Sequence, residues 1–204
     1  MNTHEKVLPD GVTGLLDGDT GALDRLHADL ARRAGERGLL DVAYTTVPTP
    51  VGRLLVAATE VGVVRVAYEV EDHDRVLALL AEQVSPRVLR GTEPLAEVVE
   101  QLEGYFAGER RGFALPLDLR LATGFRRDVV EQLRAIGFGE TRSYAEVARA
   151  TRSPGAVRAV GTACARNPLP VVVPCHRVVR SDGSPGQYVG GAAAKATLLA
   201  LERG

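Results

Sequence analysis

Residues 171–179 read VVVPCHRVV, placing a thiol, an imidazole and a guanidinium side by side within a run of valines. A thiol becomes a strong nucleophile only as the thiolate, and a neighbouring base or positive charge promotes that form. Cys175 is therefore a candidate nucleophile, with His176 and Arg177 as the groups to activate it. The plainer reading is an inert buried cysteine, the common fate of a free thiol. Geometry adds a constraint: adjacent residues of extended chain point to opposite faces, so His176 would reach the sulfur through a water or a bend at Pro174. A histidine acting as base also needs an orienting partner, usually a carboxylate. Glu202, seven residues after Lys195 in the last helical segment, is available, although position alone makes it a solvated surface residue.

The elements around this trio can be read from periodicity and punctuation. The valines predict buried, extended chain that ends at Pro174, which has no N–H for a ladder. Upstream, Phe125–Ile136 has a helical apolar face. Ser143 and Glu146 form an S-x-x-E capping box, and Ser153-Pro154 offers a second helix start that runs to about Ala165 and stops at Pro168. Two short capped helices in succession resemble a helix-turn-helix. The second, PGAVRAVGTACA, is built of small residues with one long cation, Arg158. It suits tight packing in a core and close approach to a DNA groove equally well. After the cysteine, SDGSPGQYVGG is a turn-rich loop around Tyr188, either a plain connection or a wall on which a flat ligand stacks.

Towards the N-terminus, residues 1–19 look loosely structured, and Leu23, Leu26 and Leu30 predict a short amphipathic helix that docks on the body or on a partner. Strand-like runs at 42–47, 53–59 and 63–69, helical patterns at 74–84 and 95–106, and a strand at 114–119 make a small α/β unit. The expected division is an extension at 1–40, an α/β domain at 41–120 and a mainly α domain at 121–204 that contains the helix pair and a short buried strand carrying the cysteine.

Composition narrows the class. With 204 residues, 45% hydrophobic and 25% charged, the chain suits a globular protein with a real core. It has no apolar run long enough for a bilayer and no secretory pattern at MNTHEKVLPDG, and two cysteines are too few for a disulfide framework. A reducing cytoplasm is the expected setting. Residues 121–204 hold 12 Lys and Arg against 6 Asp and Glu, while residues 1–120 hold 13 against 20. That asymmetry points the C-terminal part towards a polyanion, unless it is chance clustering.

The string RAVGTACARNPLPVVVPCHRVV, followed by Tyr188-Val-Gly-Gly191 and Lys195…Glu202, resembles the O6-alkylguanine-DNA alkyltransferases, strongly over 121–204 and weakly over 42–120. The resemblance implies a ribonuclease H-like first domain, flipping of an alkylated guanine (or O4-alkylthymine) out of duplex DNA, and irreversible transfer of the alkyl group to Cys175. It implies His176 as base through a water, Glu202 as its orienting group, Asn167 as a brace of the turn, and Tyr144 as donor to the leaving guanine. Arg158 would fill the gap left by the base, with Ala159 and Gly161 letting the helix backbone approach the minor groove. Val178, Tyr188 and Val189 would line the base, with Lys195 close by. Val189 is bulkier than its usual counterpart, which bears on the choice between methyl and larger groups. Cys164 reads as a packing residue. No cofactor or metal is implied, and a monomer is expected. Three other readings compete: a lesion sensor, a transcriptional regulator and a turning-over thiol hydrolase.

Overall fold

The computed structural model describes residues 20–204; the segment 1–19, expected to be loosely structured, lies outside it. Helix α1 (Thr20–Glu36) forms as its leucine spacing predicts. Leu26 and Leu30 remain 65% and 53% exposed, so these two leucines are not docked on the body.

Alternating apolar residues build the strands β1 (Val42–Thr49), β2 (Gly52–Thr59) and β3 (Gly62–Tyr68), an antiparallel meander. After α2 (His73–Gln83), the short β4 (Val88–Arg90) pairs parallel with the start of β1, giving the order β3-β2-β1-β4. Successive side chains of a strand face opposite ways. Leu55, Ala57, Val64 and Ala67 accordingly meet Val76 and Leu80 of α2. Leu54, Val56, Val66 and Tyr68 face the other side, where α3 (Ala96–Phe106) and the C-terminal half complete the main core.

The predicted strand at 114–119 is absent. One parallel bridge, Val63 to Leu117, replaces it. Pro116 has no N–H to extend a ladder, and the Gln101 side chain takes up both the N–H and the carbonyl of Ala114. Gly62 makes this crossing possible: at φ +147° its Cα lies so close to the Pro116 carbonyl that a Cβ would sit 2.2 Å from the oxygen.

The C-terminal half is mainly helical: α4 (Phe125–Leu133), α5 (Tyr144–Ala150), α6 (Val157–Ala165) and α7 (Gly191–Leu201). The capping box forms as read. Ser143 Oγ accepts from the Glu146 N–H at 3.2 Å, and Glu146 accepts from the Ser143 N–H at 2.7 Å. Helix α6 starts later than expected, because Ser153 is spent on a turn in which its carbonyl accepts from the Ala156 N–H. Two residues on each side, β5 (Arg142–Ser143) and β6 (Val178–Val179), pair in parallel and tie the helix pair to the segment after the cysteine.

A second correction concerns the cysteine itself. It does not lie on a strand. Residues 169–173 wind through turns, with Val171 at φ +71°, and Cys175–Arg177 form one 3-10 turn that feeds β6. The valines are buried as predicted, but Pro170 and Pro174 deny them a ladder. An apolar run signals burial without fixing the backbone geometry. A β-branched residue in the left-handed region costs on the order of 1–3 kcal/mol and persists only where its surroundings impose it.

Candidate active site

What imposes that turn is Asn167. Its side-chain carbonyl accepts from the Leu169 N–H at 3.0 Å, and its amide nitrogen donates to the Val173 carbonyl at 2.9 Å. The same amide nitrogen lies 3.2 Å from Cys175 Sγ and donates to it. One buried side chain thus shapes the loop and touches the sulfur. From the other side, Lys195 on α7 is fully buried and donates from Nζ to the Val178 carbonyl at 2.6 Å.

Cys175 is 2% exposed. Burial pushes its thiol up to about 11, while the Asn167 amide and the Lys195 ammonium pull in the opposite direction. The resting sulfur is therefore a protonated thiol, with thiolate-stabilising groups already in place. Arg177, one of the two groups expected to activate it, points elsewhere. Its guanidinium forms a fork on Glu202, Nε to Oε2 and Nη2 to Oε1, both at 2.8 Å, and its Nη1 reaches the Ile136 carbonyl at 2.6 Å.

Glu202 is the centre of the polar network, buried rather than solvated. Besides the Arg177 fork it accepts from Tyr105 Oη at 2.6 Å, from the Gly139 N–H at 3.3 Å, and pairs with His176 Nε2 at 2.8 Å. Burial alone would raise its pKa, but these partners outweigh it and hold the carboxyl well below the usual range. An ionised carboxylate can only accept, so His176 must carry its proton on Nε2. Burial also lowers the imidazole pKa and keeps the ring neutral. Nδ1 is then an unprotonated lone pair. It is buried and has no hydrogen-bond partner among the described residues. A neutral imidazole with one nitrogen fixed by a carboxylate and the other free is a base in waiting.

Two tyrosines flank this centre. Tyr188 sets its ring edge-on to His176, with centroids 6.3 Å apart, and shares a 3.0 Å hydroxyl contact with Tyr68 of β3. Tyr144, at the start of α5, lies under the loop: a Cβ at Gly186 would meet its hydroxyl at 2.8 Å. Val178 and Val189 pack in the same core. The structure thus gathers Cys175, His176, Asn167, Glu202, Lys195, Val178, Tyr188, Val189 and Tyr144. Arg158 and Ala159 are exposed on the outer face of α6, with Gly161 half-buried between that face and Tyr144. Sequence reasoning missed Tyr105 and Tyr68, which come from the other half of the chain and carry no local motif.

This is a buried cysteine beside a neutral imidazole, set behind the helices α5 and α6. The model of the 6-O-methylguanine DNA methyltransferase DNA-binding domain matches residues 124–204, and that of the ribonuclease-like domain matches residues 42–119. The constitutive methylated-DNA–protein-cysteine methyltransferase of Bacillus subtilis is 44% identical over 161 residues, covering 78% of this chain and 94% of that protein. The Mycolicibacterium paratuberculosis methylated-DNA–protein-cysteine methyltransferase is 41% identical over 162 residues, 79% of this chain and 93% of its own. A crystal structure of Mycobacterium tuberculosis OGT in complex with DNA superposes with a TM-score of 0.68 at 37% identity, covering 79% of this chain and 92% of that one. The chain belongs to the 6-O-methylguanine DNA methyltransferase family.

Proposed function

We propose that this chain repairs DNA by direct reversal, moving an alkyl group from guanine O6 to the Cys175 sulfur. The observation that carries this reading is the Cys175 thiol held by the Asn167 amide beside a His176–Glu202 couple whose free imidazole nitrogen is buried. DNA is the partner. The lesion is a guanine flipped out through the minor groove, which the small exposed face of α6 suits, with Arg158 entering the stack behind it. His176 Nδ1 takes the thiol proton through a bridging water. The thiolate then attacks the alkyl carbon, an S–C bond forms as the C–O6 bond breaks, and the electron pair stays on the guanine. Tyr144 donates a hydrogen bond to the departing base, and Lys195 offsets the sulfur's charge until the bond is made.

The product is an uncharged thioether with no group placed to remove it among the described residues, so each molecule acts once. Every acid–base group comes from one chain, which suits a monomer. We assign residues 121–204 as the acceptor unit, residues 41–120 as its support and residues 1–40 as an extension. A reducing cytoplasm, which keeps the thiol free, fits this chemistry.

The test is an intact-mass measurement after incubation with duplex DNA carrying O6-methylguanine. One added methyl, mapped to Cys175 and saturating at one per molecule, is expected. Cys175→Ala should gain nothing yet still bind the duplex. A bound lesion with no mass gain in the unsubstituted protein would instead mark a sensor.

A further inference from the structure

A groove of about 550 Å³ opens between α2 and the C-terminal end of α6, with Asn167 and Pro168 in its lining. Four guanidiniums line it, Arg65, Arg75, Arg126 and Arg166, against one carboxylate, Glu71. Glu71 is committed to Arg65 in a close ion pair, and Arg65 also donates to the carbonyls of Asn167 and Pro168 at 3.4 and 3.2 Å. That pair is internal and neutral. Arg75, Arg126 and Arg166 form no ion pair among the described residues, and Arg75 and Arg166 are exposed. Asp72, beside Arg75, is occupied at the α2 N-terminus, where it accepts from two backbone N–H groups.

The groove continues past its own rim. A second cavity of about 400 Å³ runs along the exposed face of α6, where Ala159 and Thr162 lie, and it shares Arg126 and Arg166 with the first. The cations therefore form a track from the α6 face, across the end of that helix, to α2 in the acidic half of the chain. Along α6 alone, the helical rise puts Arg158 and Arg166 roughly 12 Å apart. Unpaired guanidiniums lining one concave surface raise the local concentration of anions, and their planar forks match phosphate oxygens. An array extended over several elements fits a polymer of phosphates better than a single ion.

We propose that this groove carries the phosphate backbone of duplex flanking the lesion, held by Arg75, Arg126 and Arg166, so that the first half of the chain takes direct part in DNA binding. The proposal rests on the repair reading above.

The experiment measures duplex affinity of the full chain across a salt series, with the lesion in a short duplex of about one helical turn, roughly 10 base pairs, and in a duplex about three times longer. Each lost phosphate contact makes the slope of log affinity against log salt shallower by about one unit. Arg75→Gln should lower the slope by that amount on the long duplex and leave it unchanged on the short one. Arg75→Gln/Arg166→Gln should lower it further, and Arg75→Lys, which keeps the charge, should retain the unsubstituted slope. A long-duplex slope for Arg75→Gln equal to that of the unsubstituted protein overturns the groove. The repair reading is scored separately by methylation of Cys175 in the unsubstituted protein. That methylation with an unmoved slope removes only the groove, whereas an unsubstituted protein without salt-dependent duplex affinity removes both.

Discussion

Glu202 takes hydrogen bonds from a tyrosine, a histidine, an arginine fork and a backbone N–H, so one carboxylate sets the tautomer of the proposed base and neutralises a buried guanidinium. Removing its charge should be severe. Glu202→Gln leaves Arg177 buried without a counter-charge, a loss of about 3–5 kcal/mol, and no longer fixes the proton on His176 Nε2. Tyr105→Phe removes one of several donors and should cost only about 1–2 kcal/mol, with the histidine still oriented. Urea unfolding of the two variants separates these outcomes; equal losses would mean that Glu202 is not the centre of the network. Lys195 acts on the sulfur instead. In Lys195→Met the thiol loses the cation that offsets burial. The thiolate fraction falls with it, so single-turnover transfer should slow while duplex binding holds. Transfer at an unchanged rate would exclude a role for the ammonium.

At the scale of elements, the loop between β6 and α7 presses on the start of α5. Gly186 has φ +65°, and a Cβ there would meet the Tyr144 hydroxyl at 2.8 Å. Gly186→Ala should therefore displace Tyr144 and slow transfer, with a stability loss of about 1 kcal/mol from the left-handed backbone. Ser143→Ala at the capping box should cost a similar amount, about 1 kcal/mol, with transfer rates kept. Thermal melts paired with rapid-quench assays distinguish the two variants, and a Gly186→Ala protein with unaltered kinetics would free Tyr144 from any part in the reaction. These two positions also show what a sequence can disclose. The capping box is local chemistry, four residues long, and could be read directly. So could the strands β2 and β3. The turn at 169–173 could not, because Asn167 creates it through side-chain bonds to backbone that an apolar pattern does not encode. Tyr105 and Tyr68 were invisible for a related reason. They read as ordinary core aromatics, and only the packing of two distant segments brings their hydroxyls to Glu202 and Tyr188.

Across the whole molecule these contacts couple the two halves, since Tyr105, Tyr68 and Arg65 all reach from the first into the second. Buried ionisable groups at that junction make stability depend on pH on both sides of neutrality. His176 titrates at 6.5 when free, and burial lowers that value in the fold. The unfolded chain then binds a proton that the native chain refuses, so stability present above about pH 6.5 is lost as the pH falls below it. Glu202 is held below its free value of 4.5, so a further loss should begin there. On the alkaline side Cys175 is raised from 9.0 to about 11, and burial raises Cys164 as well. A raised thiol contributes stability below about pH 9 that is lost as the pH climbs towards the folded value. The expected profile is a plateau between about pH 6.5 and 9 with a fall at each end, measured as urea midpoints in a series of buffers. Glu202→Gln should shrink the step that begins near pH 4.5 without removing it, because Glu146 is held below the same free value by Ser143. Cys175→Ala should shrink the alkaline fall without removing it, because Cys164 still titrates. A native protein as stable at pH 5 as at pH 7.5 would mean that the fold does not resist protonation of His176, and that burial is not what keeps the imidazole neutral.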